Sequence, residues 1–397
     1  MKKCTSPFKR LMLAAGIICV FVAQLPAQDT AELLARMKAM EERIKTLEAE
    51  VQTLKGQPPA PSAEQAPSPA VSLGGAAPAA AKVFNPDISV IGDFLGAVGN
   101  GANRPTPALE MHESEIGLQA VIDPYARADF FLSFGEQGVN LEEGYLTFTS
   151  LPGALQLRAG KMRAAFGKVN TLHNHVLPWT DRPLVTQDMV GGEDGISDAG
   201  LSLSRIIPAP KNIFLEGTAQ IFRGDTEGLF RAARRSDVST VGHLRAYRDI
   251  SESTNLDLGV SYARGHSPVG DGSNQLYGLD ATLRWKPLRR AIYHSFVARS
   301  EFIWGRAQTA TPFGYYVSGD YQLTRRWSLG GRFDRSERLT NAQLQDTGGS
   351  AVLTYCPSEF SQIRGQLRRT HYGENLTANE LLFQFQFSMG AHGAHPF

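Results

Sequence analysis

From residue 84 onward, apolar and polar side chains alternate one for one in short stretches, and most of the charges keep to one parity. In 326–335, Trp327, Leu329, Gly331 and Phe333 alternate with Arg326, Ser328, Gly330, Arg332 and Asp334. In 359–370, Ile363 and Leu367 alternate with Gln362, Arg364, Gln366 and Arg368. Tyr277, Leu279, Ala281, Leu283 and Trp285 share one face of another stretch, and Gly278, Asp280, Thr282 and Arg284 the other. A period of two belongs to a pleated strand, so each stretch has a greasy face and a wet face. A charge on a lipid-facing strand position costs about 2–4 kcal/mol at mid-bilayer, so charge confined to one parity predicts one face in lipid and one in water. The reading is an all-β, transmembrane antiparallel β-barrel. A large soluble β-barrel or β-helix is the competing fold.

About sixteen strand candidates emerge: 87–98, 109–122, 125–135, 140–150, 154–164, 197–206, 212–222, 239–249, 254–264, 275–286, 293–305, 313–323, 326–335, 348–356, 359–370 and 378–389. Their connections alternate in length. Asp123-Pro124, Leu151-Pro152-Gly153, Pro208-Ala209-Pro210, Ile250 to Ser253, Thr324-Arg325 and Pro357-Ser358 are short. The long ones are 99–108, 165–196, 223–238, 265–274, 306–312, 336–347 and 371–377. Short turns at one rim and long loops at the other are what an even-stranded membrane barrel requires. Only 136–139 and 287–292 depart from the alternation.

The chain ahead of the barrel changes character three times. Lys2, Lys3, Lys9 and Arg10 precede an apolar run from Leu11 to Val22, and Leu25-Pro26-Ala27 supplies a cleavage point. This predicts a signal peptide over 1–27, because the run is too short to span a bilayer as a helix. Over 30–55, Leu33, Met37, Met40, Ile44, Leu47, Val51 and Leu54 are spaced alternately four and three apart, a coiled-coil seam. With Met37, Ile44 and Val51 at a, the g-to-e pairs Arg36–Glu41, Arg43–Glu48 and Glu50–Lys55 are all opposite in sign, which favours parallel association of identical chains. The alternative is one amphipathic helix lying on the barrel's own periplasmic side. The seam's side chains favour two strands in isolation, so a trimer would need barrel contacts to override them. Over 56–83 the chain is rich in Pro and Ala, as in QPPAPSAEQAPSPA, and reads as an extended spacer. The barrel would then occupy 84–397.

Composition closes off other classes. Lys+Arg number 40 against Asp+Glu 39, which removes a global electrostatic case for nucleic acid. Cys4 and Cys19 fall in the predicted signal, leaving Cys356 alone, so neither a disulfide framework nor a thiolate zinc site is expected. No G-x-S-x-G occurs, and His392 and His395 lie among glycines near the end, so no enzyme and no cofactor is expected.

The stretch LLFQFQFS from Leu381 places Phe383, Phe385 and Phe387 on one side and Leu382, Gln384, Gln386 and Ser388 on the other. With Phe397 at its end, it resembles the closing strand and assembly signal of bacterial outer-membrane β-barrels. Together with FNPDISVIGDFLG from Phe84, ESEIGLQAVIDPYARADFFLSF from Glu113, NLEEGYLTFTSLPGALQLRAGKMRAAFG from Asn140 and the GAHGAHPF ending, it makes the chain similar to the outer-membrane porin superfamily that includes the phosphate-selective porins. It also resembles related barrels often labelled zinc-regulated or TonB-dependent receptors, a label that implies a plug domain where this chain has only a coil and a spacer. The resemblance implies a channel in the Gram-negative outer membrane, in contact with its lipid, assembled as a homo-oligomer such as a trimer through barrel and coiled coil. The expected cargo is small hydrophilic solutes or ions crossing passively. The alternatives are a barrel specific for phosphate or for zinc or a metal chelate, and a structural barrel tethered by its coil.

Selectivity in such a pore comes from inward charge at the narrowest point. By parity Arg127, Arg158, Arg245, Arg284, Arg299, Arg332, Arg364 and Arg368 face inward, which resembles an arginine ladder. Glu113, Glu115, Asp129, Glu143, Asp280, Glu301, Asp320 and Asp334 share that parity, so acids and bases cross-pairing to brace the wall is the simpler reading. The connection 165–196 is the expected constriction loop. It carries His173 and His175 with Asp181, Asp188, Glu193 and Asp194, a loose set that could hold zinc or another divalent ion, although a solvent-facing loop competes. Arg231, Arg234 and Arg235 in the next long loop are candidates for binding lipopolysaccharide phosphates, or plain solvated charge.

Overall fold

The computed structural model describes residues 86–390 except 102–106, 136–137, 211 and 309, together with Lys38, Glu42, Arg43, Lys45 and Thr46. Those five belong to a separate unit, Met1–Gly75; they are helical and exposed, and none sits on the predicted a/d seam. The expected signal peptide, the remainder of the expected coiled coil, the expected spacer and the tail with His392, His395 and Phe397 lie outside the described residues.

The described residues of the second unit form sixteen strands. They are β1 (Asp87–Gly99), β2 (Leu109–Asp123), β3 (Ala126–Gly135), β4 (Gly138–Leu151), β5 (Leu155–Arg163), β6 (Ser197–Ile207), β7 (Phe214–Phe222) and β8 (Ser239–Ser251). Then come β9 (Thr254–His266), β10 (Ser273–Trp285), β11 (Phe296–Arg306), β12 (Phe313–Gln322), β13 (Trp327–Arg338), β14 (Asn341–Ser358), β15 (Ser361–His371) and β16 (Thr377–Gly390). Each pairs antiparallel with the next, and β16 returns to β1 with Phe94 opposite Phe385 and Asp93 opposite Gln386. Closure leaves no strand edge unpaired, which a barrel in lipid requires.

Strand ends fall within three residues of the sequence reading everywhere except the start of β14. There the expected loop 336–347 is a hairpin with only Leu339 and Thr340 between strands. The polar run Asn341 to Thr347 carries no lipid-facing alternation, so it reads as loop, yet its backbone pairs with Ser336, Glu337 and Arg338. Polar strand of this kind can extend beyond the hydrocarbon layer, where no apolar face is needed.

The two faces separate as the alternation predicts. Along β16, Leu381, Phe383 and Phe385 are exposed while Leu382, Gln384 and Gln386 are buried. Leu201, Leu279, Val317, Leu329, Phe333 and Leu353 are likewise large apolar side chains turned outward. An apolar belt this extensive around a closed barrel suits hydrocarbon rather than water. No helix among the described residues is long and apolar enough to cross a membrane.

The densest apolar packing sits inside the barrel. Residues between β5 and β6 supply Phe166, Val169, Leu177, Trp179, Val185 and Met189, which pack against inward side chains such as Phe222, Leu276, Ile303, Tyr316 and Val352. Fully burying side chains of this size stabilises by about 1.5–3 kcal/mol each, so the loop is a packed element of the fold.

Candidate functional site: the loop inside the barrel

The inserted loop runs from Ala164 to Ile196, with short 3-10 turns at Val169–Thr171 and Asn174–Val176 and helix α1 at Leu184–Met189. One side chain ties its neck. Asn170, 2 % exposed, donates from Nδ2 to the carbonyls of Ala164 (2.9 Å) and Ile196 (3.1 Å), and its Oδ1 accepts from Ile196 N–H at 2.8 Å. Gly195 makes that clasp fit: its φ is +66°, and a Cβ there would fall 2.1 Å from Asn170 Oδ1. Asn170→Ala should therefore loosen the neck by about 1–3 kcal/mol, the cost of stranding buried amide partners. Hydrogen exchange at Ile196 is the check, and unchanged protection there would refute the clasp.

From the neck the loop reaches the wall on several sides. The backbone N–H groups of Lys168 and Val169 both donate to Glu301 of β11 at 2.7 Å, and Lys168 Nζ reaches Asp257 of β9 at 2.7 Å. At the far wall Asp181 lies between Arg332 of β13 (3.0 Å) and Arg368 of β15 (2.8 Å), and also accepts from Gln366. Arg364 donates to the Trp179 carbonyl at 3.0 Å, and Arg332 covers the Trp179 ring at 4.8 Å. The first residue of α1 donates its backbone N–H to Asp334 at 3.3 Å. The returning limb closes on β2 and β5: Glu193 lies 2.9 Å from His112, and Arg163 donates to the Asp194 carbonyl at 2.6 Å. A loop fastened to β2, β5, β9, β11, β13 and β15 crosses the lumen.

Charge explains the loop's own titrations. Burial pushes the Asp181 carboxyl up, but Arg332 and Arg368 outweigh it and hold it at about 2. Burial pulls His173 down, and its contacts with Glu115 and Glu142 more than reverse this, raising it to about 9. Arg182, a buried residue of the loop itself, is lowered to about 10 by desolvation and then by Arg163. Its guanidinium donates to the carbonyls of Val169 and Leu172.

The second cluster is acidic. Glu113 and Glu115 of β2 and Glu142 and Glu143 of β4 are all buried on the inner wall. Two irregularities crowd them there: the β3–β4 register steps from Phe131–Glu143 to Leu132–Leu141, and the β1–β2 register from Asp93–Glu113 to Phe94–Met111. Each bulge passes over one residue, Glu142 or His112, and turns it inward beside its neighbour. Period-two counting put Glu142 and His112 on the lipid face and missed both. The consecutive pairs His112-Glu113 and Glu142-Glu143 were the available signal, since two adjacent ionisable residues in one strand are difficult to accommodate without a bulge.

The structure divides the proposed pore-lining residues in two. Arg332, Asp334, Arg364 and Arg368 turn inward but lie under the loop, Arg332 with its side chain 1 % exposed, so they anchor rather than border open water. Glu143 is buried in the acidic wall. Arg127, Arg158, Arg284 and Arg299 are more open. Arg127 pairs with Asp129 at 2.6 Å, Arg299 with Asp320 at 2.5 Å, and Arg158 stacks over Tyr145 at 5.2 Å. Arg245 pairs with Asp257 at 2.8 Å, so the ladder is largely neutralised by its own wall. His173 and His175 come together, ring centroids 5.6 Å apart, but with strand carboxylates rather than the expected loop acids. Of those acids, Asp181 is taken by arginines and Glu193 by His112. Arg231, Arg234 and Arg235 are exposed between β7 and β8.

No family model matches the chain. An uncharacterised protein of Aquifex aeolicus (strain VF5) is 28% identical over 392 residues, covering 81% of each chain. Among solved structures, an anion-selective porin from Comamonas acidovorans superposes with a TM-score of 0.56 at 9% identity, covering 77% of this chain and 99% of its own. OprB of Pseudomonas putida gives 0.56 at 10%, covering 78% and 95%. In-vitro folded OmpT of Vibrio cholerae, an outer membrane protein in its trimer form, gives 0.53 at 8%, covering 77% and 100%. Chains this distant in sequence share with this one a way of folding, and the fold is the closed sixteen-stranded antiparallel barrel of the porins.

Proposed function

We propose that the chain is an outer-membrane channel through which small hydrophilic solutes or ions diffuse passively, past a constriction formed by residues 164–196. The observation that carries this reading is the path of that loop, folded into the lumen and fastened to opposite walls. A wide barrel narrowed by a fixed internal loop selects by size and by the charge left facing water. The likeness in fold to an anion-selective porin supports the same reading.

The general pore stands ahead of a phosphate-specific one because the inward arginines are partnered. Arg127, Arg245, Arg299, Arg332 and Arg368 each hold a carboxylate, which leaves little free positive charge to strip an anion of its water. Assembly as a homo-oligomer is supported by the oppositely charged g–e pairs expected over 30–55 and by the trimer form of a protein with this fold. The coil would lie in the periplasm, behind the signal peptide and spacer.

Planar-bilayer recording of the folded mature chain tests the proposal: stepwise conductance supports it, and a barrel that inserts without conducting refutes it. Selectivity should be set by the more open arginines. Arg158→Glu combined with Arg284→Glu should move the reversal potential under a salt gradient toward cation preference while conductance persists. The same reversal at Arg332 or Arg364 should instead disturb the loop, because those guanidiniums hold it.

A further inference from the structure

We propose that the inner wall of β2 and β4 and the two histidines of the inserted loop form a binding site for a divalent cation of borderline softness, with Glu115, His173 and His175 as ligands and Glu113 and Glu142 as further oxygen donors. One ligand atom from each of Glu115, His173 and His175 lies within 4.8 Å of the others. His173 Nδ1 is 2.6 Å and His175 Nδ1 3.7 Å from the same Glu115 oxygen. A tetrahedral ion with bonds of about 2.0–2.2 Å spaces its ligands about 3.3–3.6 Å apart, so slight side-chain rotation brings these donors into range.

Charge and burial point the same way. Ligand oxygens of Glu113, Glu115 and Glu142 also lie within 4.8 Å of one another, and all three residues are buried. Glu113, itself 6 % exposed, has another acid, Glu142, as its hydrogen-bond partner, so the two share a single proton. Facing this group are Arg163, 3.1 Å from Glu142, and His173, so carboxylates outnumber cationic side chains. Like charges this close keep a proton between them, and a bound cation can take that proton's place. Two imidazoles beside carboxylate favour zinc over calcium or magnesium, which take oxygen alone. The ion would replace the proton between His173 and Glu115, which leaves to water. Phe131 packs edge-on against the His173 ring at 5.2 Å and holds its orientation. Because the ligands come from both a strand and the loop, an occupied site fastens the loop to the wall. That effect on conductance rests on the channel reading, whereas binding itself does not.

Calorimetric titration of the folded mature chain in detergent with zinc chloride, and separately with calcium and magnesium, is the test. Expected is one tight zinc equivalent, no comparable heat from calcium or magnesium, and loss of the tight step in His173→Ala/His175→Ala. Glu115→Gln, which keeps the side chain's shape, should lose it too and guards against a double variant that does not fold. The proposal is overturned if the wild type binds no zinc. It is equally overturned if folded Glu115→Gln binds as the wild type does, or if only His392→Ala/His395→Ala removes binding. A chain that conducts without binding zinc sinks this site alone; one that binds zinc without conducting sinks the channel reading alone.

Discussion

Replacing residues 172–193 with a short Gly-Ser linker should raise single-channel conductance severalfold. The neck makes the excision feasible, because Asn170 and Ile196 are already hydrogen-bonded and the shortened ends start adjacent. What is removed crosses the lumen and carries Leu177, Trp179, Val185 and Met189, so the passage widens where the loop now fills it. The variant should also unfold at lower temperature, read as loss of heat-resistant gel mobility. Apolar wall residues such as Tyr316, Ile303 and Val352 then face water, at about 25 cal/mol per Å² of newly wetted surface. Conductance equal to the wild type in a folded variant would mean that this loop is not the constriction.

Asp181→Ala should release the far limb of the loop while leaving the barrel intact. Asp181 alone answers both Arg332 and Arg368 from the loop side, and its removal leaves two inward guanidiniums short of a partner. Breaking a buried pair from one side costs about 3–5 kcal/mol. Here the lower end applies, because Arg332 keeps Asp334 and Arg368 keeps Glu380. Flickering conductance and faster hydrogen exchange across α1 are the expected readouts. Asp181→Asn retains an acceptor and should show a smaller change. The pH dependence has a defined sign. The carboxyl is held at about 2 against an ordinary 3.8, so its contribution is present above pH 3.8 and lost as pH falls through about 2. Wild-type docking should hold at mildly acidic pH and weaken only in that window, a loss that Asp181→Asn lacks. Equal exchange in all three proteins would remove Asp181 as the clasp.

Strand identity was legible because alternation is local. Whether Phe383 and Gln384 point to opposite sides depends on the backbone between them, and no distant contact is needed to decide it. The loop was legible as an object, by length and position, but not by its anchors. Gln366 and Asn170 look like any polar residues in a chain. They matter because Gln366 Oε1 accepts from the Thr180 N–H at 2.9 Å and Asn170 closes the loop's neck. The loop's apolar residues, among them Trp179 and Met189, were an overlooked sign that it is packed rather than solvated.

The sequence by itself therefore determined a count of about sixteen strands, nearly all their limits and, away from the bulges at His112 and Glu142, which face each turns outward, since all three follow from period-two patterning along a few residues. Only the tertiary structure decided which inward charges meet. Closure of β16 on β1, the bulges at His112 and Glu142 and the path of residues 164–196 bring together groups far apart in the chain. Asp181 with Arg368, and His173 with Glu115, are pairings set by that three-dimensional course, which no local periodicity encodes.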